Sequence, residues 1–450
     1  MIVSSIPEAP RNPAAAPAAK DTTVGNYFVS KYPPYSFWKP EATSEFLAAL
    51  DRAPKPGTDL GVYLHIPFCR KRCHFCYFKV YTDKDSAAIR AYIEGALKEL
   101  RLYSDHAFIS DRRPTFVYFG GGTPSYLSVD QLRHLTDGMK GLLPWDKVEE
   151  VTFECEPGTL TDHKLKGIRD MGVTRLSLGV ENFDDRILEI NGRAHHSKEI
   201  ARAYAFAREL DFPQINIDLI AGMVEETEAN WRECVRKTIE LQPDSVTIYQ
   251  MEVPYNTTIY KQMKAEGRLV APVADWETKR QWVAYAFAEL ECAGYTVASA
   301  YTAVKDKSRT SFVYRDRLWA GADLLGLGVA SFGHIGGTHY QNHHEFEPYM
   351  AALTDGRLPV YRALTPSADE RLIREFILQL KLGRTSIAYF LRKFGVDVRQ
   401  RFAIPLRTVG EWGFLTVDDD TIRLNREGLL QVDRLLHEFF LPQHNAARYA

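Results

Sequence analysis

Three cysteines, Cys69, Cys73 and Cys76, stand directly behind a short apolar run of the sequence. Their CxxxCxxC spacing puts three thiolates on one tight loop. Three thiolates can hold three irons of a [4Fe-4S] cluster and leave the fourth iron open, whereas a ferredoxin centre uses four cysteines. The alternative is a zinc loop or three unrelated thiols, but zinc sites usually close with a second pair of ligands further along the chain. The spacing therefore favours an iron–sulfur cluster with one iron open to a ligand.

The elements that must position this loop alternate in type along the chain. Short β-branched or aromatic runs predict strands at Gly61–Ile66, Thr115–Phe119, Val151–Cys155, Arg175–Val180, Gln214–Ile220 and Ser245–Met251. Amphipathic stretches between them predict helices, and Ser128 with Gln131 has the spacing of a capping box. Six such βα units indicate an α/β fold built on a partial parallel (β/α)6 barrel.

Polar motifs follow these predicted strands. The cysteine loop follows the first strand, Gly120-Gly-Gly-Thr-Pro124 follows the second, and Glu154-Cys-Glu-Pro157 closes the third. In parallel barrels the active residues belong at the carboxyl ends of the strands, where the βα loops converge. Glycines in such a loop permit close backbone approach to a ligand. The three motifs therefore predict one site at this end of the barrel.

With these motifs the sequence resembles the radical S-adenosylmethionine (SAM) enzymes over about residues 60 to 440. The similarity is to the branch that contains oxygen-independent coproporphyrinogen III oxidase, a related haem chaperone and the class C radical SAM methyltransferases. The resemblance implies a radical SAM barrel and a [4Fe-4S] cluster whose open iron binds SAM. An electron from the cluster then cleaves SAM to a 5′-deoxyadenosyl radical that abstracts hydrogen.

The same resemblance implies two groups of SAM-binding residues. The group expected on the cluster-bound SAM is Tyr63, Phe75, Gly121 and Glu154, and the group expected on a second SAM is Gly122, Thr123, Arg193 and Asp218. Arg193 could pair with a carboxylate through its planar guanidinium. Asp218 lies inside an apolar run, where an unpartnered carboxylate is costly. The cofactors expected on this basis are the cluster and one or two SAM molecules.

Two positions depart from the pattern of the oxidase. Glu181 stands where the oxidase has a glutamine; its carboxylate could accept ribose hydroxyl groups but would repel a nearby SAM carboxylate. Phe78 stands where the oxidase has a further cysteine. We therefore expect class C-type methyl or methylene transfer to an sp² carbon of a small molecule. The alternatives are oxidative decarboxylation of coproporphyrinogen III and a haem-binding chaperone.

The chaperone alternative depends on a haem ligand. Alignment at Trp319 puts Tyr314 and Arg315 where that branch has its histidine and asparagine. A neutral imidazole is the usual nitrogen ligand of haem iron, so this substitution argues against the same mode of haem binding. Four nearby histidines are candidate replacements: His334, His339, His343 and His344.

Changes in composition divide the chain into five parts. We expect a disordered tail at 1–25, an aromatic N-terminal arm at 26–59, the barrel core with its cluster at 60–255, a barrel extension at 256–364 and a C-terminal winged-helix-like lid domain at 365–445. Within the last part, Val409–Leu415 and Thr421–Leu424 predict strands and Glu427–Phe440 a closing helix. The C-terminal part has no concentrated basic stripe, and the resemblance implies a similar C-terminal domain that acts as a lid over the substrate, so a lid is favoured over a DNA-binding domain.

The whole-chain composition limits the partners. The 450 residues carry a formal net charge of −2 and no apolar run long enough to span a bilayer, so we expect no nucleic acid and no membrane span. Six cysteines in so long a chain do not make a disulfide framework, and exposed cluster thiolates require a reducing compartment. The prediction is a cytoplasmic enzyme with a small-molecule substrate and a reducing electron donor of the flavodoxin or ferredoxin type.

Overall fold

The computed structural model describes residues 25–267 and 272–445. Six parallel strands form its centre: β1 (Leu60–Ile66), β2 (Phe116–Gly121), β3 (Glu150–Cys155), β4 (Arg175–Glu181), β5 (Gln214–Ala221) and β6 (Ser245–Gln250). Each pairs with the next in chain order. Most of their side chains are buried on both faces, as helix-covered parallel strands require. The six strands predicted from the sequence are confirmed to within two residues at each end.

Helices connect and cover these strands. They are α1 (Thr43–Leu50), α2 (Ser86–Ser104), α3 (Val129–Leu142), α4 (Asp162–Asp170), α5 (Asp185–Ile190), α6 (Ser197–Glu209), α7 (Glu228–Leu241), α8 (Thr258–Ala265) and α9 (Trp276–Cys292). The predicted capping box is present: the Ser128 hydroxyl accepts from the Gln131 N–H, and the Gln131 side chain accepts from the Ser128 N–H. No helix in the described ranges is both long and apolar enough to cross a bilayer.

Further strands extend the sheet at both ends. They are β7 (Thr296–Val297), β8 (Thr302–Val304), β9 (Asp323–Leu327), β10 (Phe332–Ile335), β11 (Thr338–Asn342) and β12 (Val360–Leu364), with helices α10 (Val313–Trp319) and α11 (Phe346–Thr354) between them. The sheet order is β12-β11-β10-β9-β1-β2-β3-β4-β5-β6-β8-β7. Among the described residues, the end strands β12 and β7 do not pair with each other, and the sheet agrees with the predicted partial barrel.

The C-terminal part has its own small sheet and apolar core. Its elements are α12 (Ala368–Leu380), β13 (Arg384–Ser386), α13 (Ile387–Phe394), α14 (Val398–Arg401), α15 (Ala403–Glu411), β14 (Leu415–Val417), β15 (Thr421–Leu424), α16 (Arg426–Leu430) and α17 (Val432–Leu436). The strands pair in the order β13-β15-β14. Two predictions need correction: 409–411 ends a helix, and the closing helix is interrupted at Gln431, where φ is −128°.

The N-terminal arm crosses from the C-terminal part to the edge of the large sheet. The Val29 N–H donates to Asp433 Oδ1 at 2.8 Å, and the Lys381 ammonium donates to the Val29 carbonyl at 2.6 Å. Lys39 pairs with Ala363 of β12 through the backbone. Except for Gly25, the tail predicted at residues 1–25 lies outside the described residues.

Candidate functional site

The cysteine loop is tied back onto the end of β1. The Cys69 N–H donates to the Tyr81 carbonyl at 3.1 Å, and the Tyr81 N–H donates to the Pro67 carbonyl at 2.7 Å. These two bonds close the loop at its base. The three cysteines therefore project from a loop whose two ends are fixed together.

His74, in the middle of the loop, ties it to two further segments. Its N–H donates to the Asn191 carbonyl at 3.0 Å, and its ring Nδ1 lies 2.9 Å from the Ile190 carbonyl. Its own carbonyl accepts from the Ile259 N–H at 3.1 Å. The loop is thus fastened to the segment that follows α5 and to the start of α8.

Two of the three sulfur atoms accept hydrogen bonds from polar side chains. The Thr123 hydroxyl donates to Cys69 Sγ and Arg193 Nη1 donates to Cys73 Sγ, each at 3.3 Å. Such donors stabilise thiolate, which is the form that binds metal. Burial raises the pKa of Cys69 to about 11 and that of Cys76 to about 12, so without bound iron both are thiols at neutral pH.

This donor set fits a cluster better than a single ion. Among the described histidine, cysteine, aspartate and glutamate side chains, no three converge as the ligands of one metal ion would. The thiolates of a cluster bind three different irons and so need not converge. Cys69, Cys73 and Cys76 therefore suit a [4Fe-4S] cluster.

The glycine loop lies against the base of the cysteine loop. The Gly122 N–H donates to the Ile66 carbonyl at 2.8 Å, and a β-carbon on Gly122 would lie 2.8 Å from the same oxygen. Gly121 has φ +109°, and a β-carbon there would lie 2.4 Å from His65 Nδ1. Side chains at either position would push the two loops apart, so glycine is required at both.

Glu154, at the end of β3, faces the barrel interior. The Tyr118 hydroxyl donates to its Oε1 at 2.6 Å, and the Gly121 N–H donates to its Oε2 at 3.1 Å. Burial raises the pKa of Glu154 to about 7, and the charge of Asp218 adds to the shift. The carboxyl group is thus held in a fixed position beside the glycine loop, where it could accept hydrogen bonds from a ligand.

Glu181 is the last residue of β4 and has a left-handed backbone conformation, and its side chain lies near that of Arg193. Glu181 has φ +64°, and its Oε1 lies 3.6 Å from Arg193 Nη2. The same Nη2 donates to the Gly179 carbonyl at 2.6 Å, while Arg193 Nε is buried and has no hydrogen-bond partner among the described residues. Burial raises the pKa of Glu181 to about 7, which weakens the repulsion expected between it and a SAM carboxylate.

Asp218 on β5 lies beside these groups and accepts two hydrogen bonds. Ser177 Oγ donates to its Oδ2 at 2.8 Å and Asn216 Nδ2 to its Oδ1 at 2.9 Å. Burial raises its pKa, and its charge raises the pKa of both Glu154 and Glu181. The three carboxyl groups predicted on separate strands are therefore close neighbours.

Two aromatic residues of the predicted site lie on its walls. Tyr63 stacks on Tyr118 with ring centres 5.8 Å apart, and Phe75 packs against a small cluster that contains Ile187 and Met251. The structure places Tyr63 beside Glu154, whose charge helps to raise the Tyr63 pKa after burial. Phe75 lies on the opposite, β5 side of the cysteine loop.

Several polar residues of the site were not predicted from the sequence. The His195 ring Nδ1 lies 2.9 Å from Glu156 Oε1 behind the Arg193 segment, and both side chains are buried. His65 is also buried: its Nδ1 lies 3.2 Å from the Tyr63 hydroxyl and its Nε2 3.2 Å from the Lys79 carbonyl. His195, Glu156 and His65 each lie two residues from a predicted site residue. That closeness in the sequence is the one signal that could have indicated them.

The residues considered for haem binding are dispersed. Tyr314 packs against Phe116 and Tyr118 inside the barrel, with ring centres 5.6 and 4.5 Å away. His334 and His339 are buried opposite each other on β10 and β11, with Nδ1 atoms 3.2 Å apart. His343 and His344 instead face Tyr361. The four histidines do not form one group.

Comparison with known proteins agrees with this geometry. Residues 63–238 match the model of the Radical SAM superfamily. The chain is 28% identical over 372 residues to the heme chaperone HemW of Bacillus subtilis, covering 82% of this chain and 96% of that one. It is 28% identical over 424 residues to the oxygen-independent coproporphyrinogen III oxidase of Pseudomonas aeruginosa, covering 90% and 91%.

A solved structure supports the fold. The coproporphyrinogen III oxidase of Escherichia coli, described as a radical SAM enzyme, superposes with a TM-score of 0.79 at 23% identity, covering 92% of this chain and 96% of that chain. The similarity therefore extends well beyond the parallel core.

Proposed function

The chain carries a radical SAM domain, and from that premise we propose that it oxidises a porphyrinogen that bears carboxylate side chains. The reaction class is oxidative decarboxylation, which removes hydrogen and carbon dioxide from a propionate group and passes an electron to an acceptor. Two relatives guide this choice: one is named a heme chaperone and the other an oxygen-independent coproporphyrinogen III oxidase. They favour these functions over the methyl transfer expected from Phe78 and Glu181.

The residues described above fit the cofactors that a radical SAM domain uses. The [4Fe-4S] cluster, held by Cys69, Cys73 and Cys76, and SAM would together supply the radical that abstracts hydrogen. Thr123 and Arg193 would hold the thiolates by hydrogen bonds. A reduced flavodoxin or ferredoxin is the proposed class of electron donor.

The polar residues at the strand ends would orient SAM. Glu154 is fixed by Tyr118 and Gly121, so its remaining acceptor positions can bind ribose hydroxyl groups. Arg193, whose Nε has no hydrogen-bond partner within residues 25–267 and 272–445, and Asp218 would contact a second SAM. Burial of the whole group strengthens each of these contacts, because water does not compete for them.

The observation that carries the porphyrinogen proposal is a pair of cations, Lys31 and Arg374, that form no ion pair with a described residue, although the charges of Glu375 and Asp323 act on Arg374. Lys31 of the arm lies with its ammonium 4.7 Å from the centre of the Phe332 ring, and Arg374 of α12 is 6% exposed. Neither makes a hydrogen bond or ion pair with a described residue, and Arg374 helps burial to lower the Lys31 pKa. A substrate carboxylate between them would relieve this repulsion.

Haem binding is a second candidate, supported by one further observation. His339 Nε2 lies 3.2 Å from the Tyr32 carbonyl and so carries a proton, which makes its Nδ1 the acceptor for His334 Nδ1. The Nε2 of His334 is then unprotonated, as a haem ligand requires. Haem titration of the protein and of His334→Ala tests this: a one-to-one Soret shift that the substitution abolishes would replace the oxidase proposal.

An anaerobic assay tests the oxidase proposal directly. The reconstituted protein receives a reductant, SAM labelled in its methyl group and coproporphyrinogen III, and the products measured are 5′-deoxyadenosine, carbon dioxide and labelled product. We expect 5′-deoxyadenosine and carbon dioxide without transfer of label. Label in the product with S-adenosylhomocysteine would indicate methyl transfer instead.

A substitution at Lys31 separates substrate binding from SAM cleavage. Lys31→Gln should raise the KM for the porphyrinogen roughly tenfold, the effect of one charge-assisted hydrogen bond. Uncoupled 5′-deoxyadenosine formation should not change. The exposed Lys39 is the matched control, and Lys39→Gln should leave KM as it is. An unchanged KM in Lys31→Gln would contradict the proposed carboxylate contact.

A further inference from the structure

A cavity lies at the opposite end of the strands from the cysteine loop. Its volume is about 720 Å³, within the range of about 300–1,000 Å³ typical of small-molecule sites. The amino ends of β4 and β6 contribute Arg175 and Ser245. The other walls come from β8, the segment that leads into α10, and the β13, β15 and α16 elements of the C-terminal part. The cavity is therefore formed by two parts of the chain that meet.

Arg175 is the most deeply buried cation in this lining. It is 2% exposed, and its side chain makes no hydrogen bond or ion pair with any residue that the structure describes; its Nε is buried without a partner there. Its guanidinium lies 4.0 Å from the centre of the Phe312 ring, which covers one face of it. Burial raises the pKa of Glu150, Glu154 and Asp218, and the positive charge of Arg175 opposes part of each rise. A guanidinium buried in this way still lacks hydrogen-bond acceptors.

Five further cations line the same cavity. The cationic residues of the lining are Arg175, Lys307, Arg315, Arg384, Arg423 and Arg426, and the acidic residues are Glu291 and Asp316. Both acids are already engaged: Glu291 pairs with Arg426 at 2.5 Å and Asp316 with Arg315 at 2.8 Å. The remaining charge is strongly positive, although the whole chain has a net charge of −2.

Arg384 and Arg423 add a local repulsion. They lie directly opposite each other on the antiparallel strands β13 and β15. Like charges in such a pair destabilise a sheet. Asp418 lies 3.5 Å from Arg423 and offsets part of this, but Arg384 has no ion-pair partner among the described residues. An anion between the two arginines would remove the repulsion.

We propose that this cavity binds a small polyanion that carries two or more carboxylate or phosphate groups. Arg175 contacts one anionic group at the closed end of the cavity, and Arg384 with Arg423 contacts another at the C-terminal side. Thr302 and Ser311, also in the lining, supply hydroxyl groups for the neutral part of the ligand. The site is separate from the cysteine loop and does not depend on the proposed function.

Calorimetric titration with two probes tests the proposal and distinguishes a phosphate ligand from a polycarboxylate ligand. Inorganic pyrophosphate represents phosphates and citrate represents polycarboxylates, each titrated into the full-length protein at low ionic strength. We expect one-to-one binding of at least one probe, a rise in melting temperature with that probe, and weaker binding at higher salt. A response to pyrophosphate alone assigns a phosphate ligand, and a response to citrate alone assigns a polycarboxylate.

Two variants locate the binding site. The double substitution R384A/R423A should weaken binding at least about tenfold through loss of two charge-assisted contacts, and should not destabilise the free protein, because it removes a repulsion. The exposed Arg392 on α13, outside the lining, provides the control R392A, which should bind as the unmodified protein does.

The conservative R175K should keep the fold and also weaken binding, since lysine cannot donate as a planar pair. Absence of binding by both probes at millimolar concentration would overturn the proposal. So would binding that R384A/R423A leaves unchanged.

Discussion

Buried charges are held in different ways around the cysteine loop and where the arm meets the C-terminal part. Lys381 and Asp433 are 0% and 1% exposed, 2.7 Å apart, and Asp433 also accepts from the Val29 N–H and the Tyr301 hydroxyl. This pair has a complete set of partners, whereas the buried Nε of Arg193 near the loop has no hydrogen-bond partner in the described part of the chain. A complete set of partners indicates a structural role, and an incomplete one indicates where a ligand is expected.

The largest effect is expected from the substitution of a cysteine that would hold the cluster. Cys73→Ala should remove the cluster and reduce 5′-deoxyadenosine formation to background, because three thiolates are needed to hold it. Iron and sulfide per chain, with product formation, measure the outcome. Cys292 is exposed on α9, so Cys292→Ala should load iron normally. Full iron content in Cys73→Ala would show that the cluster is held elsewhere.

Removal of one member of the complete pair should destabilise the fold. Lys381→Ala leaves Asp433 buried with its charge uncompensated, and we expect the free energy of unfolding to fall by about 3–5 kcal/mol. Chemical denaturation measures this change. The surface ion pair of Arg399 with Asp397 is the control, since water screens it and Arg399→Ala should leave the unfolding free energy nearly unchanged. Equal losses of unfolding free energy in the two variants would show that the buried pair stabilises the fold no more than the surface pair does.

Arg193→Gln should do the opposite and affect the ligand more than the fold. The loss of its charge should keep the iron content but reduce SAM-dependent 5′-deoxyadenosine formation about 10- to 100-fold, the effect of one or two charge-assisted hydrogen bonds. Arg186, exposed on α5, supplies the control Arg186→Gln, expected to retain its rate. A large loss of stability in Arg193→Gln would make it a structural residue instead.

His65 provides the smallest effect and a pH test. Burial lowers its pKa to about 4 from an ordinary value near 6.5, so the unfolded chain binds a proton first as the pH falls. Its contribution to stability is present above pH 6.5 and is lost as the pH falls towards 4. We expect about 2 kcal/mol of this loss between pH 8 and pH 5.

The matched comparison for this pH effect is His65→Gln. The unfolding free energies of the two proteins, measured at both pH values, should converge as the pH falls. The exposed His134→Gln shows the effect of removing a surface histidine. If the pH dependence of His65→Gln equals that of the unmodified protein, His65 is not the group responsible.

Much of the parallel core could be predicted because its strands are continuous apolar runs. The same runs located the carboxyl ends of β1 and β3, at or just after which Glu154 and Cys69 lie. Pairs such as Glu156 with His195 depend on how separate loops approach each other, and single-sequence spacing does not specify that. The strand predicted at 409–415 was wrong over 409–411, because the apolar residues there also suit the end of α15, and Gly413 follows that end with φ +79°.

His74 shows why the cysteine loop is not a transferable module. Its hydrogen bonds join the loop to the Ile190–Asn191 carbonyls and to Ile259, and a β-carbon on Gly192 would lie 2.8 Å from its ring. A graft of residues 67–81 into another barrel would lack these three attachments. Protein engineers who move this centre would have to transplant the segment after α5 and the start of α8 with it.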